Sequence, residues 1–289
     1  MRALAQLPEA KPRSTLVLPT ALLTLLVLGG TSQATTLGYF RAEDGPGSSH
    51  TTWVNTANAS APGTSTGGNP VQNSTEVFGP VVPLTGAANT GSYYLDGTNA
   101  IQIGGSTDYN IGTGDFTVEF WFRTAGSSAA HPIVISKSSY ATSDRGWGTS
   151  IEDHNRDYIG GGIKSGIGDS GVGGLVPEDV VDDVWRHFAM VLDRTSGEFR
   201  EYLDGELRIT DAWLWAGADV ISNQSVYIGR RSGSTVPGHF AGYIDELRIS
   251  RAPLQPSQFL NAVPEPSTSL LIGIGLVGLS STRRRRRAL

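Results

Sequence analysis

Between Gly114 and Arg123 every second residue is large and apolar. Phe116, Val118, Phe120 and Phe122 fall on one side, and Thr117, Glu119 and Trp121 on the other. That two-residue period predicts a strand with one face in a core. A continuous apolar run over 187–192, the turn Asp193-Arg194-Thr195-Ser196-Gly197 and a second strand over 198–203 read together as a hairpin. The Asp204-Gly205 turn leads into 206–209 and extends the meander, and segments 225–229 and 242–249 add two more strands. The short apolar run 37–42 predicts a first strand that joins the sheet built by these later segments. Residues 56–92 are rich in Asn, Ser, Thr, Gly and Pro and read as a long surface loop. At least seven strands, almost no helical periodicity and no internal repeat predict an all-β, two-sheet antiparallel sandwich.

The two ends follow a different pattern. Residues 1–34 place Arg2, Lys11 and Arg13 before an apolar stretch from Leu16 to Leu28, then Ser32-Gln33-Ala34. This order predicts a helical secretory signal peptide cut by signal peptidase after Ala34. Residues 263–289 hold Val263-Pro264-Glu265-Pro266-Ser267-Thr268, an apolar stretch from Leu270 to Leu279, and the block Arg283 to Arg287. Even extended to 269–281, that stretch falls short of the roughly 20 residues of a stable spanning helix. It predicts a short transmembrane helix held briefly, with the arginines left in the cytoplasm. A permanently tail-anchored protein is the alternative, which the short span disfavours. The order Pro264-Glu265-Pro266, apolar segment, arginine block resembles the PEP-CTERM sorting signal. The resemblance implies processing by an exosortase, export across the inner membrane, and a final place outside the cell or on its surface, often with extracellular polysaccharide.

Removing both ends leaves residues 35–262, a length that suits one sandwich domain. The whole chain carries −5; the leader contributes +2 and the tail +4, so the body stands at −11. An acidic body without a basic stripe excludes nucleic acid and anionic membrane surfaces as partners and leaves cations and neutral sugars. The chain has no cysteine, so neither disulfides nor a thiol nucleophile enter.

Six segments in order carry a second resemblance: Tyr94-Leu95-Asp96-Gly97, residues 114–122, Ile135-Ser136-Lys137, residues 185–189, residues 202–207 and residues 242–249. From about 92 to 260 the chain resembles the LamG-like jelly roll of the concanavalin A-like lectin/glucanase sandwiches. The resemblance implies a jelly-roll fold and a binding role toward carbohydrate or protein ligands, with calcium in some members. It also raises hydrolysis, because the superfamily contains glucanases. Their Glu-x-Asp-x-x-Glu strand is missing here, and a retaining glycosidase needs two carboxyls about 5 Å apart. His131, His154, His187 and His239 show no ligand or nucleophile pattern, and His187 reads as a sheet-face histidine.

Asp245 shares parity with Leu247 and Ile249 in an unbroken strand and is expected to point toward the apolar side, where a lone carboxylate is costly. The resemblance implies a structural calcium near it, with Asp96 as a second contributor. The alternative is that Asp96 shapes an Asp-Gly turn and Asp245 accepts backbone N–H bonds. Trp213 and Trp215, two apart, and Trp147 and Trp53 in other Gly-containing segments are candidates for stacking on sugar rings, against a role as core or edge cover. The expected function is a non-catalytic, exported carbohydrate-binding protein. A purely structural surface protein and a divergent glycoside hydrolase are the rivals.

Overall fold

The computed structural model describes residues 34–263, apart from 44–51, 59, 61, 68–71, 127–130, 139–144, 153–156, 166–170, 215–216 and 234–237. The predicted signal helix, the tail with Pro264, Glu265 and Pro266, its short transmembrane helix and Trp215 lie outside the described residues.

The body is two facing antiparallel sheets, as the alternation predicts. One contains β1 (Thr35–Phe40), β4 (Gln72–Ser74), β5 (Ser92–Asp96), β7 (Phe116–Arg123), β12 (Arg186–Asp193), β13 (Glu198–Leu203), β14 (Glu206–Ala212) and β16 (Ala241–Arg251). Its order is β14-β13-β12-β7-β16-β5-β4, with β1 also pairing with β16. The other contains β2 (Thr52–Trp53), β3 (Gly63–Gly67), β6 (Asn99–Ile103), β8 (Ile133–Ser136), β9 (Gly146–Glu152), β10 (Tyr158–Lys164), β11 (Gly171–Gly173) and β15 (Val226–Ile228), in the order β11-β10-β9-β8-β15-β6-β3-β2. The first strand does join the sheet of the later segments, through β16. The predicted loop over 56–92 needs correction, because β3 and β4 lie inside it. Gly-Thr-Ser-Thr-Gly has no apolar alternation to announce a strand; its partner β6 supplies the ladder.

Phe116, Val118, Phe120 and Phe122 of β7 and Phe188, Met190 and Leu192 of β12 meet the inner isoleucines and valines of the second sheet in one core. The opposite face of β7 is also closed, although alternation alone leaves it to solvent. Residues 252–262 run back across it as a strap. Phe259 lies edge-on to Tyr202 at 5.0 Å and joins Leu254, Ala189 and Val191 in a second apolar cluster, against which Ala34 and Ala252 also pack.

Under the strap, Glu119 is fully buried. Its carboxylate accepts from His187 Nε2 at 3.0 Å, Arg248 Nε at 2.6 Å and the Leu260 backbone N–H at 2.7 Å. Burial alone would raise the Glu119 pKa, but His187, Arg248 and the Leu260 N–H outweigh it and hold it below the ordinary value. Arg248 also donates to the Gln258 carbonyl at 2.5 Å, so the strap is fastened at two points.

A second buried carboxyl joins the sheets. Glu201 of β13 accepts from the Gly161 N–H of β10 at 2.6 Å. A Cβ at Gly161 would stand 2.9 Å from Met190 Sδ and 3.1 Å from Glu201 Oε1, so a larger residue there would displace both side chains. Burial pushes Glu201 up to about 8. An acid raised on folding favours its neutral form, so its stabilising effect is complete below its ordinary value and is lost as pH rises through about 8.

Two outcomes follow for unfolding. Glu119→Ala, which strands His187 and Arg248, lowers stability by about 3 kcal/mol, read by urea titration. The wild type loses stability between pH 5 and pH 9, and Glu201→Gln makes that fall shallower; an unchanged slope would refute the assignment.

Candidate ligand-binding surface

Three of the four tryptophans predicted to stack on sugars are buried, and the fourth, Trp215, lies outside the described residues. Trp147 sits on β9 with only 1% of its surface exposed, tilted against Phe116 at 5.0 Å, and its Nε1 donates to the Tyr109 carbonyl at 3.1 Å. Alternation along β9 turns Trp147 and Ile151 inward and leaves Gly148 and Ser150 outward. Trp213 is 4% exposed, with the Arg194 guanidinium 5.0 Å from its ring, because the chain after β14 folds back over the core and its N–H bonds to the Gly197 carbonyl. Trp53 packs edge-on to Tyr93 inside the same core. These indoles cover the core, the other role open to them.

Asp245 is buried, but on the opposite face from the one expected. Glu246 adopts φ 50° and makes a bulge, so the ladder with β7 slips between Asp245 and Arg248. Asp245 therefore stands opposite Trp121 on the strap side, while Leu247 and Ile249 point into the core. Its Oδ1 accepts the Glu246 N–H at 2.8 Å, and burial, with Glu246 and Glu43 nearby, raises its pKa well above its ordinary value despite the Asn89 amide beside it. Asp96 accepts from the Thr98 N–H and hydroxyl at 2.8 and 2.7 Å and closes its own turn. It lies opposite Ala241, four positions from Asp245 along β16, on the order of 13 Å at strand rise. The two aspartates are therefore too far apart to share one calcium ion. Among the described residues no group of three or more His, Asp or Glu is placed to hold a metal ion.

The structure instead assembles a row across the outer face of the second sheet. Register places Thr64 opposite Gln102, Gln102 opposite Tyr227, and Tyr227 opposite Ser136. The row continues from Ser136 to Gly148, Gly162 and Gly173. One half is built of side chains. Tyr227 donates to Gln102 Oε1 at 3.0 Å, Gln102 donates to Ser225 Oγ at 3.3 Å, and the Arg230 guanidinium stacks 4.3 Å from the Tyr227 ring. The other half is bare backbone, forming a trough with two adjoining cavities of ≈ 150 and ≈ 240 Å³ that meet at Gly162. Lys164 and Ser138 border the first, Ser150 and Glu152 the second. Glycine inside a strand marks close approach of a ligand or another backbone. At Gly162 the approach is not forced from within, since a Cβ there would meet only the Val172 carbonyl, at 3.3 Å. No sequence motif announces this row, because its members come from seven strands and only pairing register aligns them.

Known proteins carry the same architecture. Domain 4 of AbnA, a GH43 extracellular arabinanase from Geobacillus stearothermophilus, solved in complex with arabinotriose, superposes with a TM-score of 0.57 at 17% identity, over 80% of this chain and 99% of that one. The binding domain of Paraclostridial Mosquitocidal Protein 1 gives 0.54 at 13% identity over 78% of this chain. A botulinum neurotoxin type C structure, whose cell entry depends on two ganglioside molecules, gives 0.51 at 15% identity over 77% of this chain. The chain spans about half the length of these toxin structures, 50% and 49%. No curated protein matches the chain in sequence. The PEP-CTERM protein-sorting motif matches residues 262–287, directly after the strap. With two antiparallel sheets in place and the superfamily profile matching residues 95–258, the chain belongs to the concanavalin A-like lectin/glucanases superfamily.

Proposed function

We propose that this chain is an exported, non-catalytic carbohydrate-binding protein whose tail is processed by an exosortase and whose body holds extracellular polysaccharide or cell-surface glycans in the trough of the second sheet. The observation that carries the reading is the transverse row, in which a tyrosine stacked by an arginine faces a strip of uncovered backbone. A polysaccharide strand needs this combination: an aromatic ring for the apolar face of a sugar, and polar groups for its hydroxyls. One carboxylate, Glu152, borders the trough, and it pairs with His131 at 3.3 Å. Two-carboxylate hydrolysis has no second acid among the residues that line it. The arabinotriose complex of the AbnA domain supports a sugar ligand. The sorting motif supports export and tail processing, with extracellular or surface placement afterwards.

Affinity electrophoresis against the host's own matrix polysaccharide tests the reading. Tyr227→Ala and Gly162→Leu each weaken retention about tenfold, which corresponds to about 1.4 kcal/mol, while the melting temperature of Tyr227→Ala stays at the wild-type value. Undiminished retention in both variants, or release of reducing sugar by the wild type, would overturn it.

A further inference from the structure

A second concavity, sharing no residue with the trough, opens where the ends of β1 and β16 meet the connection between β6 and β7. Its volume is ≈ 260 Å³. Tyr109 and Leu37 line it alongside Asn58, Thr107, Asp108, Asn110 and Arg251.

The pocket is firmly constructed. Tyr109 adopts φ 57°, a left-handed conformation that an aromatic residue rarely takes. Its ring fits between two glycines: a Cβ at Gly38 would lie 2.9 Å from it, and one at Gly104 2.7 Å. Asn55 Nδ2 donates to the phenol oxygen and Trp147 Nε1 to the backbone carbonyl of Tyr109, both at 3.1 Å. On either side, Asp108 Oδ2 accepts the Gly105 N–H at 2.6 Å and Asn110 Oδ1 accepts the Ser222 N–H at 2.9 Å. Arg251 donates to the Asn110 carbonyl at 3.3 Å. Three consecutive residues are thus held by hydrogen bonds to five others, Asn55, Gly105, Trp147, Ser222 and Arg251.

Those bonds leave a specific set of polar groups over. Asp108 Oδ1, the amide nitrogens of Asn58 and Asn110, the Thr107 hydroxyl and the rest of the Arg251 guanidinium make no other hydrogen bond among the described residues. They offer acceptors and donors beside the partly buried Leu37 side chain, which is what a molecule with several neighbouring hydroxyls and a C–H face requires. One acid and one base cancel, so the lining selects for no net charge. Pockets for larger ligands run from about 300 Å³ upward. This one falls just below, which fits one ring and not a chain.

We propose that this pocket binds a single neutral pyranose or furanose ring, the terminal unit of a glycan. The proposal rests on the carbohydrate-binding reading above and adds an end-reading subsite to it.

Saturation-transfer NMR and calorimetry on the full chain, with a panel of methyl glycosides of neutral hexoses and pentoses, test it. At least one glycoside binds with a Kd of about 1–10 mM. Thr107→Trp fills the cavity without removing a structural hydrogen bond and weakens that binding at least tenfold; Asn58→Ala, which removes one exposed donor and the acceptor of the exposed Ser60 N–H, weakens it severalfold and serves if the tryptophan variant does not fold. Tyr227→Ala leaves it unchanged. Saturation of no glycoside while the polysaccharide is still retained would overturn the pocket and spare the trough. Equal binding in both pocket variants, or tighter binding of a uronate than of its neutral parent sugar, would also overturn it. Loss of glycoside and polysaccharide binding together would remove the carbohydrate reading itself.

Discussion

The Glu119 carboxylate is the constraint on which the rest of the body depends. A charge buried in the middle strand of a sheet is tolerable only when its lone pairs are filled, and here an imidazole, a guanidinium and a backbone N–H fill them. Two of these partners sit on strands flanking β7, and the third belongs to the strap. Satisfying one side chain therefore fixes the register of three strands and closes the outer face of the first sheet. Phe259 completes that closure with apolar area.

Closing one sheet decides where a ligand can sit. The first sheet carries aromatic rings across its outer face, but Phe78 stacks on Trp121 at 4.1 Å and the strap covers His187 and Tyr202. Among the described residues no comparable strap crosses Gly148 and Gly162 on the outer face of the second sheet. Jelly-roll sandwiches have two outer faces; this chain uses one to anchor the strap that precedes its sorting motif, and among the described residues no equivalent strap crosses the other. The strap ends near Ala262, where the match to the sorting motif begins.

Much of this architecture is written in short-range pattern. The alternation of Phe116 through Phe122 marks a core strand because side chains alternate regardless of what surrounds them, and Asp204-Gly205 marks a turn because both residues adopt positive φ there. Three features escape that logic. β3 carries only Gly, Ser and Thr and is a strand through its partner alone. The bulge at Glu246 adds one residue and transfers Asp245 to the other face, which no count of alternation can anticipate. Trp147 and Trp213 lie in polar, glycine-containing stretches that look exposed, yet their indoles are the bulk that fills the core beside those glycines.

By itself the sequence determined the class of fold, the family and the sorting motif that follows the body, because period-two alternation, turn dipeptides and contiguous motifs are properties of neighbouring residues. The tertiary structure alone decided which carboxylates are buried, which aromatics remain for a ligand, and that Thr64, Gln102, Tyr227, Ser136 and three glycines form one row. The reason is distance along the chain: register between strands far apart in sequence is set by how the two sheets pack and by single bulges, and neither leaves a mark on local composition.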